Sequence, residues 1–430
     1  MFWPLLVHGE TAVSKNIDRK NVNNYPRVFI STGASGGHIF PGLAIADALR
    51  KKGVLCTFIG SGRQFTATVK EQGFDFINLP ASQVNVPGLQ RKLYALKDLA
   101  HAFVVAFKII RKEKPVAVLG LGSYASVAAV LAARVQGIPT ILHEQNAKPG
   151  RANLMLAPIV KRVLLAFDAA RTNFKDSAKK PKKYHAVGNP VRKDVLELRG
   201  VDRTEDGKLH VLVFGGSQGS RILSDIVPAA IAELPLDLQK QLEVTQQARP
   251  EDVENVKRAY AETPIQPTVS PFFDNLPELM HQAHVVIGRS GTGSISELAI
   301  LNRASILVPL RLADGHQIDN AQILTKAGAA VMIEEQNLNP DILARELKEL
   351  LTRQTKRELF ESNAALVAKP QAATDAADEI MKLAGLGHVE SALETQEVMA
   401  DAETGEPLAA PKPKAKTAMD IANEKLGDDI

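Results

Sequence analysis

The chain has 430 residues, 45% of them hydrophobic and 23% charged, an ordinary globular balance in a length that exceeds one core and suits two domains plus tails. A formal net charge of +4 makes no demand for a nucleic-acid partner. The single cysteine, Cys56, excludes an internal disulfide and fits a reducing compartment, and no segment offers the roughly 20 apolar residues of a bilayer span.

Residues 1–25 hold a brief apolar run, Phe2–Val7, too short for a signal-peptide core and preceded by no basic stretch. They then turn polar and Asn/Lys-rich, so a loose extension on a cytosolic, soluble or membrane-peripheral protein is expected. Arg27–Ser31 predicts a strand, Thr32–His38 a Gly-rich turn, and Ile39, Leu43, Ala46 and Leu49 the buried face of a helix that Gly53 can end. Val54–Ile59 is the second strand of a parallel βαβ unit. The helix over Leu89–Ile110 has an apolar stripe flanked by basic residues; it reads as a core helix whose start, with Leu89, Arg91, Lys92 and Tyr94, suits anionic lipid. Strands follow at Val116–Leu119 and Thr140–Leu142, the latter ending abruptly in His143, Glu144, Gln145 and Asn146.

The opening pattern then recurs: strand His210–Phe214, Gly-rich turn Gly215–Ser220, and a helix with Ile222, Leu223 and Val227. Val285–Ile287 and Ser305–Val308 are further strands, each running into a polar loop. The expected fold class is α/β, two Rossmann-like domains facing across a cleft. The expected division is an extension over 1–25, a first domain over 26–192, a second over 193–387 and a disordered Ala/Glu/Lys/Pro-rich tail over 388–430.

Glycines between a strand and a helix admit a phosphate to the helix N-terminus, and they equally let the helix pack close to its sheet. Neither turn carries the dinucleotide fingerprint, since Ser35 and Ser217 replace its second glycine, and no acid follows Gly60-Ser61-Gly62 to hold a ribose. A nicotinamide enzyme is disfavoured. His38, on a strand-end loop, can take a proton from an attacking hydroxyl, contact a phosphate, or be a polar residue at a helix end. Glu297 can accept ribose hydroxyls, and its spacing from Ser294 equally suits a capping box. His316, Gln317 and Asn320 can read sugar hydroxyls from a polar loop. No His/Cys cluster or Asp-x-Asp signature calls for a metal, so leaving-group charge would fall to amides, dipoles and arginines.

Taken together, Thr32-Gly-Ala-Ser-Gly-Gly-His-Ile-Phe-Pro-Gly42, His143-Glu-Gln-Asn146, Gly188-Asn-Pro-Val-Arg192, Gly215-Gly-Ser-Gln-Gly219, Arg289-Ser-Gly291 with Ser296-Glu297, and His316-Gln317 occur in an order that resembles the MurG family over about residues 27–385. The resemblance implies a GT-B fold and inverting transfer of N-acetylglucosamine from UDP-GlcNAc to the 4-hydroxyl of lipid I, forming lipid II for peptidoglycan. It implies no required cofactor or metal. Its partners would be UDP-GlcNAc, lipid I, the cytoplasmic face of the cell membrane and other cell-wall synthesis proteins. Ser35, Gly36 and Gly37 would approach diphosphate or acceptor, and Asn146 and Arg192 the donor. Ser217 would meet the donor phosphates, the Phe273 backbone uracil, Thr292, Gly293, Ser294, Ile295, Ser296 and Glu297 the ribose and phosphate, and Gln317 the sugar. His38 matches the catalytic base or a diphosphate contact, and His143 and Glu144 fall on the acceptor side. Ala34 departs from the family's usual glycine, and Thr245–Arg249 replaces a segment that often holds a His-Gln pair. Two other readings are a transferase for another lipid such as diacylglycerol and a non-catalytic UDP-sugar-binding protein.

Overall fold

Each Gly-rich turn leaves the central strand of its own parallel sheet. The computed structural model describes residues 25–33, 35–61, 66–80, 89–216, 219–311 and 315–387; the expected tails, Ser217 and Ala34 lie outside them, as do the side chains of Leu89, Arg91, Lys92 and Tyr94. The first sheet comprises β1 (Arg27–Thr32), β2 (Leu55–Gly60), β3 (Asp75–Asn78), β4 (Ala117–Gly120), β5 (Thr140–Glu144), β6 (Arg162–Leu165) and β7 (Tyr184–Ala186), in the order β3-β2-β1-β4-β5-β6-β7. The second comprises β8 (Leu209–Phe214), β9 (Leu242–Gln247), β10 (Thr268–Ser270), β11 (Val285–Gly288), β12 (Ser305–Leu307) and β13 (Ala330–Met332), in the order β10-β9-β8-β11-β12-β13. All the pairings are parallel. The strand order reverses beside β1 and again beside β8, so each sheet has a crevice where its loops diverge.

Both faces of each sheet are covered, which is why the strands read as continuous apolar runs. Val28 and Ile30 of β1 face one core while Phe29 faces the other. Val211 and Val213 of β8 likewise oppose Leu212 and Phe214. Each fully buried Leu, Ile or Phe contributes about 1.5–3 kcal/mol, so the pattern fixes register as well as stability.

The chain passes from the first sheet to the second between β7 and β8 and returns to the first at its last helix. Helix Ala372–Ala384 buries Ala376, Ala377, Ile380 and Met381 against Val28, Ile30 and Phe58 of the first sheet. Ion pairs from Glu379 to Arg162 and from Asp378 to Lys52 (2.8 Å) hold its outer side. By packing, this last helix is part of the first half. The two crossings touch: a Cβ on Gly188 would stand 2.4 Å from the Lys369 Cβ and 3.0 Å from the Ala372 Cβ, and Gly188 has φ of +96°. Both the close approach and the left-handed backbone require glycine there.

Candidate active site

In the first half, the loops after β1 and β4 meet at the switch point. Helix Gly36–Lys51 starts after Ser35, whose extended backbone makes it the N-cap. Its hydroxyl caps no helix amide; it lies 2.5 Å from His38 Nδ1. His38 is half-buried, and burial lowers its pKa, so the ring is neutral at neutral pH. Its Nε2 lies 3.1 Å from the point a Cβ on Gly122 would occupy, and Gly122 has φ of +98°. A side chain at either glycine of this corner would interfere, since a Cβ on Gly36 would come within 3.2 Å of the Phe40 ring. The direction of a Cβ on Gly37 is open, with nothing within 4 Å.

Strand β5 runs two residues further than the apolar pattern, which carries His143 and Glu144 into the interior. His143 is wholly buried, with Nε2 3.0 Å from the Gly188 carbonyl. Desolvation holds its pKa down to about 4, so it is a neutral donor to the crossing strand. Glu144 is also buried and accepts from the amides of Asn146 and Gly150, both at 2.9 Å, and from Asn153 Nδ2 at 2.8 Å. Burial raises its pKa against these donors. Both side chains are thus engaged in shaping the crossing at Gly188 and the 144–153 loop, which carries Asn146.

In the second half, helix Thr292–Ile300 is capped by Gly291, not by Ser294. The capping-box reading fails because Ser294 and Glu297 are both already inside the helix. Glu297 instead pairs with Arg192 Nε at 3.2 Å, and burial raises its pKa while Arg192 opposes the rise. Ile295 is a core residue packed with Leu298 and Phe214, which leaves only its backbone to contribute to a site. Ser296 Oγ donates to the Thr292 carbonyl at 2.9 Å, whereas Gly293 has open space in its Cβ direction. Gln317 Oε1 accepts the Leu310 amide at 2.9 Å. Phe273 is half-buried just beyond β10. In the departing segment, Gln246 accepts from Tyr260 at 2.8 Å in the core, and Gln247 accepts the Gly215 amide at 3.0 Å. The second Gly-rich turn is thus held from β9.

The two halves meet through neutral polar groups. Thr292 Oγ1 donates to Asn146 Oδ1 at 2.8 Å. Asn320 accepts the Ala147 amide at 2.9 Å, and its Nδ2 is shared among the Ser290 carbonyl, Thr292 Oγ1 and Asn146 Oδ1 at 3.2, 3.2 and 3.3 Å. His316 Nδ1 lies 2.9 Å from the Lys148 carbonyl. Asn146, Thr292, Gln317 and Asn320 therefore converge, with Glu297 and Arg192 one helical turn away. His38 stands at the neighbouring corner of the first half.

Sequence reasoning missed Asn153, which supports Glu144, and Gly122, which admits the His38 ring. It also missed the partner of Arg289, a buried side chain that pairs with Glu335 at 2.6 Å and donates to the Val308 carbonyl. Local spacing signalled none of these, because each partner comes from another element. Away from the cleft, Asp206, His210 and Glu243 bring ligand atoms within 4.8 Å of one another at the N-terminal ends of β8 and β9. A cavity of about 580 Å³ near Arg203 and Arg303 lies on that side too. There Arg303 donates to the carbonyls of Leu301 and Ala283, the C-caps of two helices, so its charge is answered by helix ends.

Comparison with known proteins agrees with this architecture. The N-terminal domain model of glycosyltransferase family 28 matches residues 28–165, and the C-terminal domain model matches residues 210–380. The UDP-N-acetylglucosamine–N-acetylmuramyl-(pentapeptide) pyrophosphoryl-undecaprenol N-acetylglucosamine transferase of Caulobacter vibrioides is 37% identical over 360 residues, covering 83% of this chain and 98% of its own. The protein of the same name from Paramagnetospirillum magneticum is 36% identical over 364 residues, covering 83% and 97%. The crystal structure of Acinetobacter baumannii MurG superposes with a TM-score of 0.69 at 27% identity, covering 83% of this chain and all (100%) of that one. A UDP-GlcNAc 2-epimerase from Neisseria meningitidis bound to UDP-GlcNAc, at 15% identity and a TM-score of 0.60 over 83% and 99% of the two chains, shares the fold alone. With both sheets matched and most of its length shared with these relatives, the chain belongs to the MurG family of family 28 glycosyltransferases.

Proposed function

We propose that the chain transfers N-acetylglucosamine from UDP-GlcNAc to the 4-hydroxyl of lipid I, the undecaprenyl-diphosphate-linked N-acetylmuramyl pentapeptide, with inversion at the anomeric carbon. The observation that carries this reading is the meeting of Asn146 with Thr292 and Asn320 across the cleft, which makes one site from two half-sites. Glu297, backed by Arg192, accepts the ribose hydroxyls, the backbone near Phe273 meets uracil, and Asn146 and Gln317 read the sugar. The first-turn amides at Gly36 and Gly37 serve diphosphate or acceptor.

In the reaction, His38 Nε2 takes the proton of the 4-hydroxyl as its oxygen bonds to C1 of the donor. The C1–O bond to phosphate breaks, and UDP leaves with the electron pair. The described donor residues include one buried carboxylate, Glu297, already engaged by Arg192. The leaving charge is accordingly assigned to amides, helix dipole and Arg192, without a required metal. Turnover should survive chelation by EDTA.

A lipid-linked acceptor together with a soluble UDP-sugar donor supports work at the cytoplasmic face of the membrane. Among the described residues no helix is long and apolar enough to cross a membrane. Exposed Leu154, Met155 and Ile159 in the first half, with Arg134 bonded to the Ile159 carbonyl, support surface contact. The deciding assay supplies radiolabelled UDP-GlcNAc with lipid I or with diacylglycerol. Label on lipid I is expected; label on diacylglycerol, or on neither lipid, overturns the proposal.

A further inference from the structure

We infer that Ser35 is a positioning residue that selects the Nδ1–H tautomer of His38 and so leaves Nε2 bare to receive the acceptor proton. The inference rests on the proposed reading of His38 as the base. Three observations carry it. Ser35 occupies an N-cap position, where a serine oxygen ordinarily accepts a helix amide, yet its hydroxyl caps none and lies 2.5 Å from His38 Nδ1. Its lone pairs are therefore available to Nδ1–H. Next, Nε2 lies 3.1 Å from where a Cβ on Gly122 would stand, a point that Asn153 Nδ2 approaches within 3.7 Å, and that nitrogen is spent on the His143 carbonyl at 3.2 Å and Glu144 at 2.8 Å. Among the described residues no hydrogen-bond acceptor is recorded for Nε2. A bare Nε2 then waits for the substrate hydroxyl.

The step then balances. The 4-hydroxyl proton moves to Nε2 as the C1–O bond forms, the ring becomes an imidazolium held through Nδ1–H to Ser35 Oγ, and UDP departs. Nε2 releases the proton to solvent after the products leave. Ser35 transfers no proton and acts on the base through the ring.

The test is the ¹⁵N spectrum of the full-length enzyme labelled at histidine, with the His38 signals assigned by their loss in His38→Gln. The wild type is expected to show a protonated Nδ1 and a bare Nε2 at pH 8. Ser35→Ala should shift the population toward the Nε2–H form that a free histidine side chain prefers and lower kcat about tenfold. Ser35→Thr should restore both the spectrum and the rate. An Nε2–H wild-type ring, or an unchanged tautomer in Ser35→Ala, overturns the inference. Near-normal turnover by His38→Ala would instead remove the base reading, an outcome independent of the spectrum.

Discussion

Thr292 Oγ1 in the second half donates to Asn146 Oδ1 in the first, at 2.8 Å. This bond joins the first turn of a helix to a loop that a buried Glu144 holds in shape, so it links the two halves across the cleft. Thr292→Val keeps the volume and removes the donor. At roughly 1 kcal/mol for a neutral hydrogen bond, KM for UDP-GlcNAc should rise on the order of fivefold, with a smaller fall in kcat. Steady-state kinetics at saturating lipid acceptor check this, and an unchanged KM would separate the bond from donor binding.

Glu297→Gln preserves shape while discarding the charge that faces Arg192 at 3.2 Å. Hydrogen bonds to a charged acceptor are worth about 1.5–3 kcal/mol, so donor affinity should fall roughly 10- to 100-fold. Thermal stability should move little, because the substitution also relieves the burial that raises this carboxyl's pKa. Calorimetric titration with UDP beside a melting curve distinguishes loss of binding from loss of fold.

The rate on the acid side should report His38. Burial lowers its pKa from 6.5, so the ring stays neutral to lower pH than a free histidine. The acidic limb of kcat/KM should have its midpoint below 6.5. His38→Ala should cut kcat/KM by about 10²–10⁴ and abolish that limb. A wild-type midpoint at or above the free-histidine value would remove the desolvated-base assignment.

His143 makes a separate prediction about stability. Its pKa is lower in the folded chain, about 4, than its ordinary value of 6.5. Between those values the unfolded chain binds more protons, so stability rises with pH. The contribution is complete above 6.5, shrinks as pH falls below it and is gone by about 4. Urea unfolding across that range should show a flatter pH slope in His143→Gln than in the wild type.

The strand-turn-helix units were legible because parallel strands buried on both faces read as apolar runs and because glycine marks the strand ends. Asn146, Gln317 and Glu297 were legible as polar residues on such ends. His143 and Glu144 were not, since nothing local says that β5 continues through two polar residues whose partners are Gly188, Gly150 and Asn153. Glu297 illustrates how spacing misleads: three residues from Ser294 suggests a cap, but the helix starts at Thr292 and the carboxylate turns to Arg192. The return of helix Ala372–Ala384 to the first sheet was equally hidden, because its apolar stripe does not say which sheet it covers.

Gly188→Ala should be among the most damaging small substitutions outside the cleft. It forces an L side chain into φ of +96° with its Cβ 2.4 Å from that of Lys369. Strain and overpacking together should cost about 2–4 kcal/mol, read as a lower midpoint in urea with a disproportionate loss of turnover near that midpoint.

The adjacency of Gly188 and Lys369 has a mechanical meaning. The second sheet is tethered to the first by two crossings of the chain that lie against one another, like the two leaves of a hinge on one pin. Such a mounting permits swing about the pin but resists sliding and torsion. A closure that pivots there would bring Thr292 back to Asn146 in the same register, so the precision of the cleft would be inherited from the crossing.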